Sequence, residues 1–284
     1  MEKKSELELV DILILFFNKV DQTISCINSF LPSGQHIYIL NNGSDEQQLQ
    51  KLQHQFKNNH QVTILDAGKN LGVSGGRNYL IKHTNAPWLL SVDNDITIRP
   101  GNWLQLFEAY IYEHPKAEIV APLIYNVHEK AYSDQLRVHL ENNKVVINTG
   151  SFLITNCFPG GASIIKRSVF EKYGLFDEEM FVGFEDYEYA LRAMLSENGP
   201  FEVHHLHTIE LIHDHQYQKK IKDKEAVRQR YNEELLSASY NRLVEKYGVI
   251  FEHDWKWWTK NQVTVMTEKT WFSKVKRVLS RFIS

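Results

Sequence analysis

Three groups of residues in this chain combine reactive type with suggestive spacing. The first is Asp93-Asn94-Asp95, which closes the apolar run Leu89-Leu90-Ser91-Val92. An apolar run of that length reads as a buried parallel strand, and its carboxyl end would carry the two acids out of the core into a crevice. On an extended backbone Asp93 and Asp95 project to the same side, where their hard oxygens can hold a divalent cation, or a cation and a ribose hydroxyl. The alternative is that the acids only open a turn completed by Pro100-Gly101. The second group is Glu185-Asp186, at the start of a helical stretch and beside Phe181, Phe184 and Tyr187. A carboxylate held there can accept a hydroxyl proton during nucleophilic attack, or it can simply complement the helix dipole. The third is His213-Asp214-His215, at the end of an apolar stretch. Either imidazole can complete an oxygen-rich metal site, a mixture that suits Mn²⁺ at least as well as Mg²⁺. Gly160-Gly161 adds a place where backbone can approach a ligand closely, or a tight turn that needs positive φ.

The elements that must position these groups alternate. Apolar strand-length runs at 10–17, 36–40, 62–65 and the stretch before Asp93 are each followed by a helix-like segment, over 20–30, 45–56, up to about His83, and 103–113. Strands alternating with helices, with polar or Gly-rich turns at the strand ends, predict an open, mostly parallel α/β sheet. Ligands in such sheets sit beyond the carboxyl ends of the strands. There the turns 41–44, 70–78 and 93–95 should converge. A further strand is expected over 119–121, a polar and poorly periodic insertion over 125–148, a short helix over 167–173 closed by Gly174, and strands over 201–207 and 208–212.

Composition narrows the class. With 284 residues, 43% hydrophobic and 24% charged, the chain reads as globular, and a formal net charge of −3 gives no general attraction to nucleic acid. The mixed-charge start and the Asp11 interruption support neither a signal peptide nor a membrane span, so a cytoplasmic location is expected. Cys26 and Cys157, far apart and outside any metal-like spacing, read as two reduced thiols.

Taken together, these residues resemble the family 2 inverting glycosyltransferases, nucleotide-sugar enzymes of the GT-A fold. The likeness runs from about Val10 to His215 and rests on five motifs in order. VDILILFFN is similar to the family's first strand, with Leu15-Phe16 where a Pro-Thr pair is usual. NNGS resembles its Asp-Asn-Gly-Ser turn, with Asn41 in place of the acid that commonly reads the base. NLGVSGGRN resembles its Asn-x-Gly…Arg-Asn segment, and Asp93-Asn94-Asp95 its metal-binding Asp-x-Asp. The block from Phe158 to Arg192 is similar to its acceptor side, which ends in Glu-Asp.

The resemblance implies roles. Asp95 is the direct metal ligand, with His213 second and Asp93 turned to the ribose or reaching the cation through water. Arg77 braces the pyrophosphate or neighbouring carboxylates as a fixed fork of donors. Asn70 stands beside the nucleoside, and Asn18, Gly160 and Gly161 line the donor site. Phe17 stacks on the base or belongs to the core. Asp186 is the general base, with Glu185 as alternative base or orienting partner. A carboxamide both accepts and donates, so Asn41 can alter base preference from a default of uridine diphosphate. The expected activity is metal-dependent, inverting transfer of a hexosyl or N-acetylhexosaminyl unit from a nucleotide sugar to a glycan or lipid-linked hydroxyl, in surface polysaccharide synthesis. A nucleotidyltransferase and a catalytically silent sugar-nucleotide-binding scaffold are the alternatives.

The chain is expected to divide into a catalytic domain over 1–215 and a helical extension over 216–284. In the extension, Tyr231, Leu235, Leu236 and Tyr240 are spaced to pack on the catalytic domain. Trp271, Val275, Val278, Leu279 and Phe282 form an apolar stripe flanked by Lys274, Arg277, Arg281 and Lys276. That stripe suits peripheral attachment to the inner face of an anionic membrane, or docking on its own domain or a second subunit.

Overall fold

The computed structural model describes residues 9–214, 232–252 and 256. Its centre is a ten-stranded sheet built on the expected alternation. β1 (Val10–Phe16), α1 (Val20–Phe30), β2 (Ile37–Asn41), α2 (Glu46–Phe56), β3 (Val62–Asp66), α3 (Gly72–Lys82) and β4 (Trp88–Asp93) form an alternating series with parallel pairing β4-β1-β2-β3. β1 is apolar on both faces because helices cover both: Ile12 and Ile14 pack into one core layer, Leu13 into the other. Register follows: Leu15 lies opposite Asp93 and Leu40, and Asn41 opposite Asp66, so the carboxyl ends of four strands finish level.

The second half reverses direction. After β5 (Ile96–Ile98) and α4 (Trp103–Glu113) come β6 (Ile119–Asn126) and β7 (Ala131–Tyr132). The hairpin β8 (Gln135–Glu141) and β9 (Lys144–Gly150), then β10 (Ile154–Thr155), lead to β11 (Ala162–Lys166), which runs antiparallel between β4 and β6. An antiparallel neighbour starts where β4 ends, and this brings Gly160-Gly161 beside Asp93; the Asp93 amide donates to the Gly161 carbonyl at 2.9 Å. α5 (Arg167–Tyr173), α6 (Glu185–Leu195) and β12 (Val203–His213) follow, with β12 parallel to β6. The final described elements are α7 (Glu233–Tyr247) and β13 (Ile250–Phe251).

Four local expectations are corrected. The insertion expected over 125–148 is ordered β structure: β6 continues to Asn126, and β8 and β9 form a hairpin that β13 joins as a second, three-stranded sheet. Its turn is Asn142-Asn143, both at positive φ (51° and 63°), the geometry that matches strand twist in a two-residue hairpin. The strands expected over 201–207 and 208–212 are one strand, β12, with a register shift between Leu206 and Glu210. Arg77 sits on a helix rather than a turn, because α3 begins at Gly72 and runs through the glycines. Finally, the extended backbone stops at Asp93 and residues 94–95 form a turn, so the period-two argument for the two acids does not apply.

Residues 232–252 pack against the body of the protein. Leu243, Val249 and Phe251 share a buried cluster with Val138, Val145, Met180 and Leu191, and Leu236 is buried as its spacing predicts. Tyr231, His215 and the aromatic-basic stripe over 271–282 lie outside the described residues. Among the described residues no helix is long and apolar enough to cross a membrane.

Candidate active site

Arg77 is the residue around which the site closes. α3 carries it into the body of the protein, where its side chain is 7% exposed. Its Nη1 donates to Glu185 Oε1 at 3.1 Å and lies 3.8 Å from Asp186 Oδ1, while Nη2 donates to Asp93 Oδ1 at 3.4 Å. Burial alone would push the guanidinium down; Glu185, then Asp93 and Asp186, outweigh it and the net direction is up. One fixed cation thus joins the end of β4 to the start of α6, although sixteen and 108 residues separate Arg77 from Asp93 and Glu185.

The two glycines explain how the carboxylates reach it. A Cβ on Gly160 would overlap Arg77 and Asp186, and one on Gly161 would overlap the Asp93 carboxylate. What the backbone approaches there is this cluster of side chains, a more specific reason for glycine than turn geometry. With the way open, the Gly160 amide donates to Asp186 Oδ1 at 3.1 Å.

α6 opens at Phe184, whose φ of 66° reverses the chain so that Glu185 and Asp186 occupy the first turn. The two acids differ. Glu185 is buried against Arg77, whereas the Asp186 side chain keeps 30% exposure. Burial, then the Glu185 charge, push the Asp186 carboxyl up to about 7, against the opposing pull of Arg77 and the Gly160 amide. A carboxylate with that affinity for a proton is matched to accepting one near neutral pH. The loop before it is held from two sides: the Phe181 carbonyl accepts from the Val73 amide at 2.7 Å, and the Val182 carbonyl from Ser239 Oγ of α7 at 2.9 Å.

Asp95 faces other partners. Its side chain is 3% exposed; Oδ2 accepts from Lys19 Nζ at 3.1 Å and Oδ1 lies 3.4 Å from His213 Nε2. His213 Nδ1 is paired with Asn126 Oδ1 at 3.0 Å, an arrangement that fixes the ring and turns Nε2 toward the acid. Two cis ligands of an ion held at about 2.1 Å are about 3 Å apart, so this oxygen and this nitrogen fit one divalent cation. Among the described residues no three His, Cys, Asp or Glu side chains gather to hold a metal, so such a cation would draw its remaining oxygens from ligand and water. Cys26 is free and buried, with its thiol pushed up by burial and then by the charges of Asp95 and Asp93. Cys157 is likewise free and buried.

Several candidate donor-site residues turn out to hold the turns together. Asn18, buried at φ 55°, accepts on Oδ1 from the Asp45 amide (2.9 Å) and Gln48 Nε2 (3.2 Å). Asn70 Oδ1 accepts from the Gly72 amide at 2.8 Å and Asn42 Nδ2 at 3.1 Å, tying the turn at 41–44 to the one that begins at Asn70. Asn41 spends its carboxamide inside the protein: Oδ1 accepts from the Ser44 amide (3.0 Å) and Nδ2 donates to Asp66 Oδ1 (3.0 Å). Asp66 is exposed beside it, a carboxylate that the sequence reading passed over. Lys19 and Asn126 were missed as well. Phe17 is half-buried at the exit of β1.

An open α/β sheet with carboxylates gathered beyond its parallel strand ends, and a reversed strand carrying glycines into them, is the architecture of GT-A glycosyltransferases. The family described as "Glycosyl transferase family 2" matches over residues 11–174, more than half of the sequence, and the chain belongs to it. An uncharacterized protein of Haemophilus influenzae is 24% identical over 172 residues, covering 58% of this chain and 91% of that protein. Among solved structures, S. aureus TarS (residues 1–349) in complex with UDP is similar at a TM-score of 0.56 and 16% identity, over 83% of this chain and 65% of that one. GalNAc-T7 with UDP, GalNAc and Mn²⁺ is similar at 0.58 and 14%, over 93% and 58%. The chain thus spans about three-fifths of the length of those two structures, and the likeness is one of fold.

Proposed function

We propose that the protein transfers a sugar, with inversion, from a uridine diphosphate donor to a hydroxyl of a glycan or lipid-linked acceptor in surface polysaccharide synthesis. The observation that carries this reading is the Arg77 cluster, in which the proposed base Asp186 and the donor-side acid Asp93 share one guanidinium. A sugar bound beside Asp93 then has a proton acceptor within the same cluster. Asp186 takes the acceptor hydroxyl's proton as the oxygen attacks the anomeric carbon, and the diphosphate leaves from the opposite face. Glu185 holds Arg77 in place and keeps Asp186 basic.

Asp95 and His213 would hold a divalent cation, Mn²⁺ or Mg²⁺, which stabilises the charge developing on the departing diphosphate. The complex of GalNAc-T7 with UDP and Mn²⁺ supports that choice by similarity of fold. Asp66, oriented by Asn41 and by the Gly68 amide at 2.9 Å, supplies a carboxylate that can accept from the imide N–H of uracil, which cytosine lacks.

Incubation with UDP-sugars and Mn²⁺ tests the reading. Slow release of uridine diphosphate without acceptor is expected, and cleavage between the two phosphates, giving sugar 1-phosphate and uridine monophosphate, would point to nucleotidyl transfer instead. Asp186→Asn should bind uridine diphosphate as the wild type does, in preference to cytidine diphosphate, yet lose about 10²- to 10⁴-fold in transfer. Full transfer by that variant would overturn the assignment of the base.

A further inference from the structure

The turn between β1 and α1 is strained, and it is aimed. Asn18 and Lys19 both lie at positive φ, 55° and 56°, a region that side-chain-bearing residues seldom adopt and that persists only when its surroundings fix it. Here they do. The Asn18 amide donates to Ser44 Oγ at 2.8 Å, and its carbonyl accepts from Asn94 Nδ2 at 3.1 Å. Asn94 Nδ2 also donates to Thr23 Oγ1 at 2.9 Å, whose hydroxyl donates in turn to the Lys19 carbonyl at 3.1 Å. The residue between the two acids therefore fixes the backbone of the turn that carries Lys19.

That backbone delivers the Lys19 ammonium to Asp95 Oδ2 at 3.1 Å, with the ammonium-bearing side chain 20% exposed and the acid 3% exposed. A lysine is a compact point charge on a flexible stem, able to leave one anion for another. On the other oxygen of the same carboxylate stands His213, so a divalent cation held by Asp95 and His213 would share one negative charge with the ammonium. Like charges at that spacing repel strongly where burial weakens screening. A diphosphate arriving with the cation changes the balance, because its oxygens can take over the lysine.

We propose that Lys19 is a resident counter-ion that keeps free divalent cations off Asp95 and releases the acid only to a cation arriving with a nucleoside diphosphate. The inference rests on Asp95 and His213 being the cation ligands. It makes cation binding conditional on the nucleotide and assigns Lys19 to the diphosphate once that has bound.

Titration of Mn²⁺ followed by electron paramagnetic resonance, with no substrate turnover, tests it. Wild-type protein and Lys19→Arg should bind Mn²⁺ weakly alone and more tightly with uridine diphosphate. Lys19→Gln and Lys19→Gly should bind Mn²⁺ alone about tenfold to a hundredfold more tightly than wild type. The glycine variant suits the positive φ, so its fold is protected where the glutamine variant's is in question. The gain should vanish when Asp95→Asn is added to Lys19→Gly. No gain in either variant, or a gain that survives the loss of Asp95, would overturn the proposal. The ligand assignment is read separately: if Asp95→Asn alone leaves nucleotide-dependent Mn²⁺ binding unchanged, Asp95 is not a ligand.

Discussion

Asp186 can act as a base only while ionised, so its position in the Arg77 cluster has a signature in pH. With the carboxyl raised to about 7 by burial and by Glu185, kcat/KM should fall below neutral pH as the acid takes up its proton. Arg77 opposes that rise through its charge, so Arg77→Gln, which removes the charge, should move the acid limb to higher pH; a limb that stays put would separate the two residues. Linkage sets the matching sign for stability. A native carboxyl raised above its unfolded value of about 4 is favourable when protonated, and that contribution is lost as pH climbs from about 4 to about 7. Asp186→Asn should therefore stabilise the fold at pH 8 and have little effect at pH 4. The gain should be about 1–2 kcal/mol, less than the full shift implies because the side chain is 30% exposed, and denaturant melts at the two pH values measure it. At this scale the sequence disclosed residue types but not their pairings. Asp93, Asp95, Glu185, Asp186 and His213 were legible as reactive. That Arg77 would join Asp93 to Glu185 while Lys19 and His213 claimed Asp95 depends on contacts between distant segments, which no local spacing encodes.

Elements were legible where period and length agreed. The expected helix over 20–30 matches α1 to the residue, because Val20, Thr23, Ile27 and Phe30 recur on one buried face. The hairpin β8–β9 was missed although its signal is present: Leu136, Val138 and Leu140 of β8 and Val145 and Ile147 of β9 pack inward, while Arg137 and Lys144 are exposed. Its turn was missed because Asn-Asn lacks the glycine that usually marks positive φ at both positions. That turn gives an element-scale prediction. At φ 63°, Asn143→Gly should be neutral or slightly stabilising, whereas Asn143→Val, a β-branched residue forced into the left-handed region, should cost about 1–2 kcal/mol. Equal melting of the two variants would show that the hairpin does not need the conformation. α3 was misread for a related reason. Glycines at 72, 75 and 76 suggest a loop, yet a side chain at Gly76 would meet Leu15 of β1, so packing there demands glycine within a helix.

For the molecule as a whole, the question is whether the expected boundary after residue 215 separates parts that can exist apart. The contacts of α7 argue that its segment belongs to the catalytic body. Glu188, fully buried one turn beyond the acidic pair of α6, is held by Arg192 of its own helix, by Lys246 Nζ at 3.0 Å and by Tyr247 Oη at 2.6 Å. Lys246 and Arg242 also reach Asp177, and Tyr240 packs edge-on against Phe184 at the reversal that starts α6. A buried carboxylate stripped of some of its partners is costly, on the order of 3–5 kcal/mol, and the truncation would also uncover Met180, Val145 and Leu191. Ending the chain at residue 214 should therefore lower the melting temperature by more than about 10 °C and make the protein bind a hydrophobic dye. It should also abolish transfer even where folded protein persists, since the Val182 carbonyl loses Ser239 and the start of α6 loses its support. A fragment of residues 1–214 that melts and transfers like the full chain would mean that α7 merely rests on the catalytic body.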